Sequence, residues 1–129
     1  MGLLICNFGF LTEKNGKYYT YTKQVVPNQY VVDLGKNFRG YRFWHKYTDR
    51  QIQSLSKLIK HISTQFNIDI NSSGIKNQLA NSVHPFQAFE YNPQAVKGKV
   101  KGILSHTSVR KDKFDVSPQM NLVNMINEL

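Results

Sequence analysis

The sequence predicts an α/β domain in which a short mixed β-sheet packs against two helices. The most regular segment is 49–66, where apolar side chains recur at helical spacing on one face. Apolar, aromatic or β-branched runs at 2–6, 18–26 and 101–106 are typical of strands. A second apolar helical period at 118–128 predicts the other helix.

Both helices carry start signals. Thr48 with Gln51 three residues later forms a capping box before the first helix. Ser117 as cap and Pro118 in the first turn predict the start of the last helix. The apolar face of the first helix consists of Ile52, Leu55, Leu58, Ile59, Ile62 and Phe66.

Turn-forming residues separate the predicted strands. Asn7 and Gly9 close the apolar run Gly2 to Cys6, and the turn signal Glu13 to Gly16 precedes the strand-like run Lys17 to Val26. A further short extended piece is expected at Gln29 to Leu34. Ile68 to Gln94 has no clean period and is predicted as a long loop with room for one helical turn.

Length and composition restrict the class of protein. Residues 1–129 are enough for one domain with a single core. The net charge of +9, spread along the chain, suits a partner with dispersed negative charge: nucleic acid, anionic lipid or bacterial wall polymers. Cys6 is the single cysteine, so an intrachain disulfide is excluded. We expect no signal peptide and no membrane span, hence synthesis in the cytoplasm and a different route for any export.

The stretch from His106 to Pro118, HTSVRKDKFDVSP, is the strongest candidate for a functional site. A His at a strand end and Asp115, separated by a turn, can converge on one metal ion, and both side chains are competent zinc ligands. The ammonium of Lys113 on the same loop can stabilise an oxyanion formed during attack on an amide carbonyl. The alternative is a surface His beside an Asp that pairs with Arg110 or Lys111.

The run KGILSHTSVRKDKFDVSPQ resembles the C-terminal signature of the zinc-dependent N-acetylmuramoyl-L-alanine amidases, the type 2 amidase domain shared with phage lysins and peptidoglycan recognition proteins. Upstream, GLLICNFG resembles the central strand of that family, and FRGYRFWHKYTDRQIQSL and KHISTQFNIDI resemble the approach to its long helix and the end of that helix. The resemblance covers nearly the whole chain and is to a prophage or Bacteroidetes-type cell-wall hydrolase.

By position, the resemblance implies that His106 and Asp115 are zinc ligands and that Lys113 assists at the carbonyl oxygen. The sequence departs from the family twice. The third zinc ligand of the family, a His on an earlier strand, has no counterpart, and Leu4 stands where the family has its general-base Glu. The chain is therefore expected to be an N-terminally truncated amidase-type domain, and loss of a general base typically costs about 10² to 10⁴ in rate.

Four other side chains are candidates for the missing ligand: His45, His61, His84 and Cys6. Each has a structural alternative, such as packing among aromatic residues or lying on a helix surface. His84 is the best candidate, because its long loop could fold over the motif.

Two aromatic-rich stretches could form a stacking platform for bases or sugars, and the first of them alternates aromatic and basic residues. The first comprises Phe38, Tyr41, Phe43, Trp44 and Tyr47 with Arg39, Arg42 and Lys46, and the second Tyr18, Tyr19 and Tyr21. We expect core anchors in the first stretch and a packed strand face in the second.

Three functions remain open from the sequence. The leading one is an amidase-like hydrolase that acts with zinc on the N-acetylmuramoyl-L-alanine bond of peptidoglycan. The alternative is an inactive relative that binds muropeptides or a protein partner, including a second copy, at an exposed sheet edge beside residues 2–6. The third is a nucleic-acid-binding module, which no recognised motif supports.

Overall fold

Five strands form one antiparallel sheet in the order β3-β2-β1-β5-β4. The structure is a computed structural model that describes residues 1–129. The strands are β1 (Phe10–Lys14), β2 (Lys17–Tyr19), β3 (Val25–Val26), β4 (Val31–Phe38) and β5 (Tyr41–His45). A small sheet with helices confirms the predicted α/β class, although every strand pair is antiparallel and the sheet is not mixed.

Two-residue turns close both main hairpins. Asn15 and Gly16 join β1 to β2 with φ of 53° and 75°, and Arg39 and Gly40 join β4 to β5 with φ of 53° and 85°. Two consecutive left-handed residues give the turn twist that matches paired strands. The turn signal before Lys17 was therefore predicted correctly, but the strand that precedes it, β1, was missed.

The predicted strands at 2–6 and 101–106 are wrong, because neither segment has a strand beside it. Gly2 to Ile5 makes no backbone hydrogen bond to other backbone groups. In the second segment the carbonyl of Ile103 accepts from the N–H of Ile75 at 2.8 Å, which serves a helix start and not a ladder. An apolar run becomes a strand only where another strand satisfies its backbone groups.

The helices are α1 (Asp49–Gln65), α2 (Ile75–Asn81), α3 (Pro93–Val96), α4 (His106–Val109) and α5 (Met120–Asn127), with 3₁₀ turns at Asn28–Tyr30 and Pro85–Phe89. Helix α1 and its capping box are confirmed. Helix α2 lies in the segment predicted as a long loop. The sequence did not indicate it, because its only large apolar residues, Ile75 and Leu79, are too few to show a period. None of the helices is long and apolar enough to cross a bilayer.

The last helix begins later than predicted, at Met120 with Gln119 as its cap. Ser117 cannot cap it, because its hydroxyl accepts from the Gln119 side chain at 2.9 Å and its N–H donates to the Tyr47 hydroxyl at 3.2 Å. Both Ser117 and Gln119 are buried.

The core is formed by side chains of the sheet, α2, the second 3₁₀ turn and α5. Phe38, Trp44, Phe89 and Leu122 are each at most 2% exposed. Helix α1 differs, because none of its residues is fully buried although its apolar face is regular. Its apolar face is therefore only partly covered by the rest of the chain.

Candidate functional site

The side chains of His106 and Asp115 meet, as the sequence predicted. His106 is the first residue of α4, Asp115 lies at the end of the following loop, and 3.2 Å separates His106 Nδ1 from Asp115 Oδ2. Both side chains are about half exposed, at 43% and 50%. Arg110 pairs with Asp112 through two hydrogen bonds of 2.8 and 2.7 Å, so the alternative pairing of Asp115 with Arg110 is wrong.

Ser105 explains why the two side chains converge. Its hydroxyl accepts from the N–H of Val116 at 3.0 Å and donates to the carbonyl of Asp115 at 3.2 Å. The same hydroxyl caps α4 by accepting from the N–H of Thr107. Ser105 is buried. Because it directly precedes His106 and binds both polar atoms of the peptide bond between Asp115 and Val116, it holds the backbone at His106 close to the backbone at Asp115.

Arg39 anchors the loop between the two side chains to the sheet. From the β4–β5 turn, its guanidinium donates to the carbonyls of Thr107 and Lys111, each at 2.7 Å. These partners are 68 and 72 residues away in sequence, so no local pattern indicates the contact. Sequence reasoning missed both Arg39 and Ser105 as site residues.

Tyr47 fixes the chain just after Asp115. Its buried hydroxyl accepts from the N–H of Ser117, and burial raises the pKa of the phenol. The Gln119 side chain donates to the carbonyl of His45 at 2.8 Å and accepts from the N–H of Tyr47 at 3.1 Å. These contacts hold the loop end against the end of β5.

Lys113 stands two residues before Asp115 and is half-buried. The pKa of Asp112 is lowered, first by the hydrogen bonds from Arg110 and, in smaller part, by the charge of Lys113. No hydrogen bond joins Lys113 to His106 or Asp115. Its predicted role at a carbonyl oxygen stays a prediction.

The geometry of the His106–Asp115 pair fits two ligands of one zinc ion. Ligands at the usual bond lengths on a tetrahedral zinc stand about 3.3 Å apart, and the observed separation is 3.2 Å. A direct charge-assisted N–H···O hydrogen bond is usually shorter, about 2.7–2.9 Å. The pair thus has the spacing of a metal site as well as that of a long hydrogen bond.

A third ligand does not join the pair, since no group of three His, Cys, Asp or Glu side chains is brought together. His45 Nδ1 accepts from the N–H of Phe8 at 3.1 Å, and burial lowers the pKa of His45. His84 Nδ1 accepts from the N–H of Phe86 at 3.2 Å, where it caps a 3₁₀ turn. His61 and Cys6 are exposed. The chain thus brings together two candidate ligands, whereas a catalytic zinc requires three protein ligands, and zinc binding stays a prediction.

The pair opens into a cavity of about 660 Å³, which we call the apolar groove. Its walls are the apolar face of α1, the segment Met1 to Ile5, the segment Gly102 to Leu104 and the inner face of α5. The volume lies in the range of small-molecule sites. Leu4 lines the groove together with His106 and Asp115, and 84% of its surface is exposed. A leucine in this position cannot accept a proton from water.

Comparison of the chain with protein-family models, with curated proteins and with solved structures finds no significant match.

Proposed function

We propose that this chain is an amidase-related protein that binds peptidoglycan around the N-acetylmuramoyl-L-alanine bond, with His106 and Asp115 holding a zinc ion beside that bond. The 3.2 Å separation of His106 Nδ1 and Asp115 Oδ2 carries the proposal, because it combines the two ligand types of the amidase-like motif at the spacing of a shared metal. Zinc bound there would polarise the amide carbonyl.

The residues at this site determine what it can bind and how fast it could hydrolyse the bond. His106 and Asp115 are half exposed and therefore accessible to a polymer, while the apolar groove beside them can take the methyl-bearing part of a muropeptide. Two protein ligands hold zinc weakly, and Leu4 offers no general base. We therefore expect binding of muropeptides, with hydrolysis absent or about 10² to 10⁴ slower than in an amidase with its general base.

The test is a zinc titration followed calorimetrically, with muropeptide binding measured in the presence and absence of zinc. The wild-type chain should bind about one equivalent of zinc, and muropeptide should bind more tightly when zinc is present. His106→Ala and Asp115→Asn should each lose both effects. His61→Ala, which removes an exposed His from α1, is the matched control and should behave as wild type. Equal zinc binding by wild type and His106→Ala would overturn the proposal.

A second function, association with another chain through the apolar groove, is supported by a different observation. Gly2 to Ile5 and Gly102 to Leu104 both line the groove, and neither is part of a strand. Unpaired backbone beside an apolar surface is a template for strand addition, including from a second copy of this chain. Light scattering should then show a mass above 14.9 kDa, and Leu4→Asp should restore the monomer. A wild-type monomer at all concentrations would count against this function.

A further inference from the structure

Four aromatic rings form a continuous surface cluster at the start of β1, which we call the aromatic strip. Phe10 is its centre: its ring stacks on Tyr41 with 4.0 Å between ring centroids, and it lies 5.0 Å from Phe114 and 6.4 Å from Tyr21. Phe114 also meets Tyr41 edge to face at 5.9 Å. Each ring is held by at least one neighbour, so the strip is preformed.

The outer rings of the strip are open to solvent. Tyr21 is 72% exposed and Phe114 is 37% exposed. Tyr21 follows the end of β2 and does not lie on a packed strand face, so that prediction from the sequence is wrong for Tyr21. In contrast, Phe38, Trp44 and Tyr47 are core residues as predicted. The exposed ring faces are available for stacking with a ligand.

A lysine stands beside each of the two exposed rings. Lys23 shares a tight turn with Tyr21, because the Lys23 N–H donates to the carbonyl of Thr20 at 2.9 Å and closes the turn 20–23. The ends of such a turn lie within about 7 Å of each other. Lys113 directly precedes Phe114, so their Cα atoms are about 3.8 Å apart. Neither lysine forms a salt bridge, and both ammonium groups are available to an anion next to a ring.

Two further lysines lie on the same face of the sheet as Phe10. Phe10 and Lys14 are four positions apart on β1, so their side chains point to one face, about 13 Å apart along the strand. Lys17 on β2 is the direct cross-strand partner of Lys14. Like charges directly opposite each other are destabilising, and no carboxylate forms a salt bridge with either lysine. An anion bound between them would relieve this repulsion.

The carboxylates closest in sequence to these lysines do not cancel their charge. Asp112 pairs with Arg110 at 2.7 Å, and Asp115 meets His106 at 3.2 Å. Glu13 points to the opposite face of β1 from its lysine neighbour. In the whole chain, two of the 17 Lys and Arg side chains form salt bridges. The strip is therefore bordered by positive charge that the chain itself does not compensate.

Stacking rings with free cations along them are the features that bind single-stranded nucleic acid. Unpaired bases present flat faces to the rings, and the phosphates that link them bind the cations. The bases of a duplex stack on one another and cannot reach the rings. A neutral glycan can pack on the rings but leaves the lysines unused. The charge complementarity thus favours a single-stranded polyphosphate over the other polymers.

We propose that the aromatic strip and the lysines around it bind single-stranded nucleic acid, with bases stacked on Tyr21 and Phe114. The phosphates contact four lysines: Lys14, Lys17, Lys23 and Lys113. This function goes beyond the proposed amidase-related one and needs neither zinc nor peptidoglycan. No sequence motif indicates it, because the β1–β2 hairpin, the turn 20–23 and the loop before Asp115 each supply only part of the surface.

The test is fluorescence anisotropy with the full chain and a labelled oligothymidylate of about 12 nucleotides, in the presence of a metal chelator. Wild type should bind saturably. The logarithm of its binding constant should fall with the logarithm of salt concentration with a slope of about −2.8, because each of the four phosphate contacts contributes about −0.7. Alanine at any one of the four lysines should reduce the slope by about 0.7.

Tyrosine variants separate stacking from charge. Tyr21→Ala should weaken binding at least about fivefold and leave the salt slope unchanged, because it removes a ring and no charge. Tyr21→Phe keeps the ring and should bind as wild type. Tyr30→Ala and Lys57→Ala are the matched controls, because both residues are exposed and lie outside the strip, in the first 3₁₀ turn and on α1. Both should keep the wild-type affinity and slope, and circular dichroism verifies that each variant is folded.

Several outcomes would overturn the proposal. No binding by wild type would do so, as would equal affinities of wild type and folded Tyr21→Ala. A duplex of the same length that binds as tightly at physiological salt would show charge attraction without stacking. Peptide-free glycan strands or anionic phospholipid vesicles that bind in place of the oligonucleotide, and need Tyr21, would assign the strip to another ligand. The assay contains neither zinc nor muropeptide, so its result is independent of the test of the proposed function.

Discussion

The two sides of this small domain contain similar apolar side chains but differ in how they are covered. On the core side, Phe38 and Trp44 are each 1% exposed, and neither lines the groove. On the groove side, Leu3 and Leu4 are 47% and 84% exposed, and α1 has no fully buried residue. The spacing of apolar residues thus identifies which face of a segment is apolar, but not whether another part of the chain packs against that face.

The candidate site lies where the two sides meet. Arg39 and Tyr47 bind the His106–Asp115 loop from the core side, whereas His106 and Asp115 themselves line the groove. The well-packed side thus supports the candidate residues, which face the open side, and this arrangement is common in binding sites. Variants on each side should therefore have different consequences.

The largest expected difference is between two matched leucines. Leu11→Ala should destabilise the fold by about 2–5 kcal/mol, because Leu11 is 2% exposed and does not line the groove. Leu55→Ala, in the wall of the groove, should cost less than about 1.5 kcal/mol, because that side chain is only partly buried. Urea denaturation measures both. Equal losses would show that the groove is closed in solution, by the chain itself or by a partner.

Arg39→Ala should give the next largest effect. It removes two charge-assisted hydrogen bonds to the carbonyls of Thr107 and Lys111, at a cost of about 1.5–3 kcal/mol. It should also weaken zinc binding, because the loop between His106 and Asp115 loses its anchor. Arg39→Lys cannot span both carbonyls and should recover only part of the stability. Wild-type stability and zinc affinity in Arg39→Ala would contradict the role of Arg39 as a positioning residue.

Tyr47→Phe tests the connection after Asp115. The variant keeps the ring in the core but leaves the buried N–H of Ser117 without its acceptor, which should cost about 1–3 kcal/mol. The amide resonances of Val116 and Ser117 should shift, while those of α1 stay in place. A loss below 0.5 kcal/mol, on the order of a neutral surface substitution, would show that the hydroxyl does not support this loop.

The smallest effect is a pH dependence at the connection between β5 and the N-terminal segment. Burial lowers the pKa of His45, so the folded state disfavours its protonation, which would also remove the acceptor for the Phe8 N–H. The contribution of neutral His45 to the free energy of unfolding is therefore full above the ordinary histidine pKa of about 6.5. This contribution is lost as the pH falls below that value toward the lower pKa of the folded state.

Urea denaturation between pH 7.5 and 5 measures this dependence. His45→Gln keeps an acceptor but cannot titrate, so the loss attributable to this position should disappear, whereas His61→Gln should leave it unchanged. An unchanged pH dependence in His45→Gln would contradict the assignment.

Local sequence patterns predicted those parts of the molecule that depend on local interactions. The capping box at Thr48 and Gln51, the Asn15–Gly16 turn and the convergence of His106 with Asp115 all involve residues close in sequence, and all are observed. The segments at 2–6 and 101–106 were predicted as strands because their composition is right, yet strand formation also needs a neighbour, which composition does not reveal. Arg39 was missed as a site residue for the same reason: its contacts join residues about 70 positions apart.

The most direct test of the central claim is the response of the four histidine rings to zinc, followed by ¹H–¹⁵N NMR. The account predicts that zinc shifts the ring nitrogens of His106 first and saturably, with Nδ1 as the coordinated atom, and that Asp115→Asn abolishes the shift. His45, His61 and His84 should stay unchanged. A zinc-induced shift at another histidine with His106 unaffected, or no shift at His106 at any zinc concentration, would contradict the account.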